Sequence, residues 1–201
     1  LFAVDRDADA ERVDGLLGED RQRALHARCA EVSARSVDLQ EALRHALAAG
    51  ELEGAGELAM KAAASLSARH AHAEAAALLE AFVETAGEAP MEVRRQLAEL
   101  YRVAGDYPKA LEHARTIRAR APEDPAAAHR VGQLLTAAGE HEKAAEVLRR
   151  AQSLAEETGD PAVRGEVLAQ LAELEYQRAH YGEADRWGER ALELARAAEV
   201  L

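Results

Sequence analysis

Two stretches of this chain match in kind when one is slid 34 residues along the other. The first is Leu97-Ala98-Glu99-Leu100-Tyr101-Arg102-Val103-Ala104-Gly105-Asp106-Tyr107-Pro108-Lys109-Ala110. The second is Gly132-Gln133-Leu134-Leu135-Thr136-Ala137-Ala138-Gly139-Glu140-His141-Glu142-Lys143-Ala144. Superposed, Tyr101 falls on Leu135, Gly105 on Gly139, Asp106 on Glu140, Lys109 on Lys143 and Ala110 on Ala144. A fixed period of a few tens of residues marks an array of supersecondary units, each of which buries its apolar face only against its neighbours. That excludes most other folds for a chain of 201 residues.

Each unit reads helix, tight turn, helix. Leu97, Leu100, Tyr101 and Ala104 share one helical face. Gly105 supplies the left-handed residue that ends such a helix, and Pro108 fits the first turn of the next. Ala110, Ala114 and Ile117 form the second apolar stripe, with Ala110 small enough for close helix approach. Pro122 and Pro125 stop the pair, and Asp124-Pro125 is a cap followed by a first helical residue. This pattern resembles the tetratricopeptide repeat, W-x2-L-G-x2-Y…A-x3-F…P. Residues 91–124 carry Leu97, Tyr101, Ala110 and Pro122 at the family's spacing, with Arg94, Ala98 and Ala114 departing from it. Residues from 125 onward keep Gly132, Ala144 and Leu148. The resemblance implies an all-α, right-handed α-solenoid of about ten helices.

The rest of the chain is read against that period. Residues 1–19 form a lead-in or the tail of a preceding domain; Asp5, Asp7, Asp9, Glu11 and Asp14 lack the central Gly and closing Glu of a Ca²⁺ loop. Residues 20–55 give N-terminal helices, the second opened by the capping-box pattern Asp38-Leu39-Gln40-Glu41. The array spans 56–201, in units of about 56–90, 91–124, 125–164 and 165–201. In the first unit Ala62, Leu66 and Leu79 take the motif's Leu, Tyr and Phe places. Turns are expected near Gly50, His70, Gly105, Gly139 and Ala179. The last interval is six residues longer, with the excess at Glu156 to Pro161, so the flanking helices are expected to be long. Glu175 stands at the Tyr position of the last unit and Gly188 at the Phe position.

Composition narrows the function. The formal net charge is −12, which disfavours nucleic acid and anionic membranes. It is uneven: residues 101–150 hold nine Lys/Arg against seven Asp/Glu. No apolar run is long enough for a membrane span. Cys29 is the single cysteine, expected as a small buried hydrophobe; an internal disulfide is impossible and a reducing, cytoplasmic compartment is expected, while the bias of Arg over Lys points to a bacterial genome. The chain starts without Met and ends within a helical pattern, and reads as part of a longer protein.

Catalytic and metal chemistry find no support. His70 and His72 lack further ligands at a fixed spacing, and His141-Glu142 lacks the second His of a zinc-protease helix. Gly54-Ala55-Gly56 follows no strand, so it is no phosphate loop. Trp187, on a stripe with Ala184 and Ala191, reads as core. The expectation is a non-enzymatic protein without cofactor or metal. In the family resembled, first helices line a groove. Carried residue by residue, that face comprises Glu92, Arg95, Glu99 and Arg102, then His129, Gln133 and Thr136, then Glu166, Glu173 and Tyr176. Arg95 and Arg102 alternate with Glu92 and Glu99, so internal pairing is expected. Glu99 and Glu173 occupy places where carboxylate-clamping members carry Asn, so that clamp is not implied. The partner implied is a protein or peptide segment, bound by a rigid scaffold. A second reading makes the repeats the sensor region of a larger bacterial signalling ATPase or MalT-like transcription regulator, on the similarity of Arg21–Ala30 and Ala42–Gly50 to the junction after the ATPase module.

Overall fold

The computed structural model describes residues 18–35, 39–87 and 89–199. The acidic run at 5–14 and the capping residue Asp38 lie outside them. The described residues form ten helices and no strand. These are α1 (Glu19–Arg35), α2 (Leu39–Ala49), α3 (Leu52–Ala68), α4 (His72–Ala86) and α5 (Met91–Ala104), then α6 (Tyr107–Arg120), α7 (Pro125–Ala137), α8 (His141–Thr158), α9 (Pro161–Gln177) and α10 (Tyr181–Glu199).

Five turns share one geometry, and the sequence explains it. Gly50, His70, Gly105, Gly139 and Ala179 all have φ between 61° and 78°. At Gly105 the N–H donates to the Arg102 carbonyl (3.1 Å) and the next N–H, Asp106, reaches back to Tyr101 (2.9 Å). The same two bonds recur at Gly139–Glu140 and Ala179–His180, and at Gly50–Glu51 and His70–Ala71. This double bond satisfies carbonyls that a helix end leaves orphaned. The residue five positions after each turn is Ala55, Ala75, Ala110, Ala144 or Ala184, and each is buried. A small side chain there lets the two helices of the hairpin close.

The links between hairpins use different chemistry. Asp124 accepts from the Ala126 N–H (2.9 Å) ahead of Pro125, and Asp160 from the Ala162 N–H (2.9 Å) ahead of Pro161. Proline at the first helical position gives up a donor that had no helical partner. α6 and α7 run 14 and 13 residues, while α8 and α9 run 18 and 17. The longer interval is therefore absorbed by lengthened helices meeting at Gly159, as its sequence suggested.

Two compact units divide within α5, one up to Val93 and one from Arg94 onward. In the first, α1 packs on α2, α2 on α3 and α3 on α4. Its core is built largely from alanine (Ala42, Ala46, Ala59, Ala62, Ala63) around Leu66, Leu79 and Phe82. Ala62, Leu66 and Leu79 are thus inward, as their repeat positions require. In the second, α7 packs on α6, α8 and α9, and α9 also packs on α8 and α10. Leu97, Val131, Leu134, Leu148, Leu154, Leu171 and Leu174 fill this leucine-rich interior. Two single-residue expectations are corrected. Cys29 is half-buried on α1, where neighbouring Leu25 and Val32 are exposed. Trp187 is half-buried too, with the Arg190 guanidinium 5.4 Å from its ring centroid.

Candidate functional site

Within the second unit, α7 and α9 are the first helices of consecutive hairpins and lie in contact. Between them runs an open cleft of about 480 Å³. His129, Arg130 and Gln133 line it from α7; Glu166, Gln170 and Glu173 line it from α9. The spacing accounts for the wall: 166, 170 and 173 are four and three apart, and 129 and 133 four apart, so each set shares a helical face. Ala126 and Ala169 leave room between them.

The polar groups are linked. His129 Nδ1 lies 3.8 Å from a Glu166 carboxylate oxygen across the cleft. Burial holds the His129 imidazole below its ordinary pKa; Glu166 opposes that and Arg130 adds to it. His129 is therefore neutral at pH 7, able to donate one hydrogen bond and accept another. Arg130 donates to Gln133 Oε1 (3.0 Å) and to Glu99 of α5 (3.4 Å). Glu99 also takes both bonds of a fork from Arg102, at 2.9 and 2.6 Å. The Arg102 guanidinium, with Arg130 nearby, holds the Glu99 carboxyl below the usual carboxylate range. The pairing of Arg102 with Glu99 is that expected from their spacing. At the far end Glu173 accepts from Gln177 (2.8 Å).

Of the ten residues expected on this face, His129, Gln133, Glu166 and Glu173 share the cleft. Glu99 and Arg102 connect to it through Arg130. Arg95 lines a smaller neighbouring hollow with Asp124 and Arg130. Tyr176, one turn beyond Glu173, is 66% exposed and meets the edge of exposed Tyr181 at 5.5 Å between centroids. Glu92 falls in the first unit. Thr136 is a correction: it is 3% exposed and its hydroxyl donates to the Gly132 carbonyl (3.0 Å), so it offers nothing to a partner. On α7 it faces the core beside Leu135, where its methyl packs and its hydroxyl is satisfied within the helix.

Sequence reading missed Arg130 and Gln170. Gln170 was detectable from its spacing to Glu166 and Glu173. Arg130 was not, because its role comes from reaching Glu99 on another helix. Also unforeseen was the buried His113 of α6, whose ring stacks on Tyr101 at 5.9 Å with 6° between planes while Lys109 lies over the same tyrosine. Among the described residues no three His, Cys, Asp or Glu side chains are grouped to hold a metal ion, and no helix is long and apolar enough to cross a membrane.

No protein-family profile and no curated protein matches the sequence. Solved structures do match the fold. MamA from Desulfovibrio magneticus RS-1 superposes with a TM-score of 0.62 at 18% identity, over 88% of this chain and 96% of that one. YrrB, described as a TPR protein with an unusual peptide-binding site, superposes with a TM-score of 0.61 at 16% identity, over 88% of this chain and 91% of that one. The helix hairpins described above therefore have the tetratricopeptide solenoid fold.

Proposed function

We propose that this chain is a non-catalytic scaffold that binds a protein or peptide segment along the face formed by its first helices. The observation that carries the reading is the cleft between α7 and α9, whose exposed groups are hydrogen-bonding side chains on two rigid walls. An extended segment has a backbone donor and acceptor at every residue, and neutral His129, Gln133 and Gln170 can meet either kind. The charges of Glu99 and Arg102 already satisfy each other, so recognition rests more on hydrogen bonds than on net charge. Tyr176 and Tyr181 add exposed aromatic surface at one end, the kind of side chain that concentrates binding energy at interfaces. The peptide-binding site named for YrrB is consistent with this use of the fold.

The test is to pan the purified chain against a phage-displayed random-peptide library, then titrate enriched peptides by fluorescence anisotropy. Gln133→Ala and Tyr176→Ala should weaken binding, and added salt should have a modest effect. Arg115→Glu, on the exposed side of α6, should not matter. Full binding by the first two variants with loss in the third would move the site and sink the proposal.

A further inference from the structure

A hollow of different chemistry opens on the other side of the second unit, between the second helices α8 and α10. It holds about 280 Å³, room for one small molecule. α9 forms its back wall through Arg164 and Leu168, one turn apart. Glu166 and Gln170, which line the α7/α9 cleft, follow these two by two positions and so lie on the opposite side of α9. The long repeat interval builds the hollow. α6 ends at Arg120, and a shift of 34 residues would end α8 at Leu154. Ala155 and Glu156 belong to the extra turn that carries α8 on to Thr158, and Arg164 to the first turn of the lengthened α9.

Two of its charges are already engaged. Glu156 accepts from Gln152 at 3.2 Å, and the Arg190 guanidinium rests on the Trp187 ring. Arg164 and Glu193 are left. Among the described residues neither side chain has an ion-pair or hydrogen-bond partner, although both line the same hollow from different helices. Beside them Ala155 and Leu168 are buried and Leu194 is half-buried, so the remaining wall is apolar.

We propose that this hollow binds a free α-amino acid with a large apolar side chain. Its carboxylate pairs with Arg164, its ammonium with Glu193, and its side chain packs on Ala155, Leu168 and Leu194. The zwitterion follows from the two uncommitted charges, one of each sign, which face a shared space without meeting; a ligand carrying both signs bridges them. A plain anion would leave Glu193 facing a like charge, and a plain amine would do the same to Arg164. The site lies on the second-helix side and stands whether or not the α7/α9 cleft binds a peptide.

L-phenylalanine, titrated onto the isotope-labelled full chain and followed by amide chemical shifts, tests it. Three companions separate the contributions: 3-phenylpropionate lacks the ammonium, phenethylamine lacks the carboxylate, and L-serine lacks the apolar side chain. L-phenylalanine should saturate, with shifts centred on 152–156, 164–168 and 190–194, and each companion should bind at least about tenfold more weakly. Arg164→Gln and Glu193→Gln should each weaken L-phenylalanine by about tenfold, and Gln133→Ala should leave it unchanged. Neither of the first two variants strips a partner from another residue, and Glu193 is exposed, so both keep the fold. Failure of L-phenylalanine, L-leucine and L-methionine alike to saturate would overturn the proposal, as would unchanged affinity in both variants. Equal binding of 3-phenylpropionate would overturn it too, since the hollow would then be an anion site, and equal binding of phenethylamine would do so in the opposite sense.

Discussion

Gly132 of α7 lies directly against Leu148 of α8: a Cβ at 132 would stand 2.5 Å from Leu148 Cγ and closer still to Cδ2. Leu148 is fully buried and has nowhere to retreat. Gly132→Ala should therefore destabilise by about 1–3 kcal/mol from overpacking, outweighing the gain of about 1 kcal/mol that alanine brings to a helix interior. Gly165 of α9 is the control, since a Cβ there meets nothing within 4 Å. Gly165→Ala should raise stability by about 0.5–1 kcal/mol. Thermal melts of the two variants moving in the same direction would show that the α7/α8 contact is misplaced.

His70 and Ala179 hold the left-handed turn position that glycine fills at Gly105 and Gly139, with φ of 61° and 62°. An L side chain in that region costs roughly 1 kcal/mol. Ala179→Gly and His70→Gly should accordingly be neutral to stabilising. Gly105→Val should be the opposite, losing about 1–2 kcal/mol because a β-branched residue resists positive φ. Chemical denaturation midpoints decide both.

Glu175 occupies the position at which the repeat pattern has tyrosine, yet it is buried. Its carboxylate accepts from Arg178 Nη1 at 3.0 Å and sits 2.8 Å from His180 Nδ1. Arg178 continues to Glu142 of α8 at 2.9 Å. Glu175→Ala should cost about 1–3 kcal/mol, because the groups it satisfies are left without a buried acceptor. Glu142 is largely exposed, so Glu142→Ala should cost under about 1 kcal/mol. Equal losses in the two variants would remove Glu175 as the centre of the network.

His129 makes stability depend on pH. Its folded pKa lies below the unfolded value near 6.5. Between those two values the unfolded chain binds more protons, so this contribution is full above about pH 6.5 and is lost as pH falls towards the folded pKa. The melting temperature should fall as pH is lowered below about 6.5, and less steeply in His129→Gln. Glu99, whose carboxyl is also held low, acts in the same direction only below about pH 4.5. Parallel profiles for wild type and His129→Gln would show that the imidazole is not desolvated.

The hairpin pattern was legible in the sequence because its causes are local. A left-handed residue, two backbone bonds and an alanine five positions on are confined to one turn, so Gly105 and Ala110 announced their geometry without reference to any other helix. The same holds for Asp124-Pro125 and Asp160-Pro161, where cap and first turn are adjacent in the chain. His70 and Ala179 were placed by period alone and still adopt the turn, because the flanking helices and their buried alanines impose it.

Which side chains face out was decided by tertiary structure. Thr136 and Gln133 lie three apart on α7, yet one is buried beside Leu135 and the other lines a cleft. That difference depends on where α8 and α9 pack. Arg130 could not be assigned from the sequence, since a long guanidinium side chain chooses among carboxylates that neighbouring helices bring within reach; here Glu99 is one of them. Glu175 looked like a defect in the pattern and became a buried acceptor only when Arg178 and His180 folded around it. The hollow between α8 and α10 has the same origin: Gln152 and Glu156 are ordinary helix residues until Arg190 and Leu194, 30 or more positions away, close the opposite wall. Local hydrogen bonds and propensities thus fix the hairpins, while packing between sequence-distant helices fixes the surfaces that can bind.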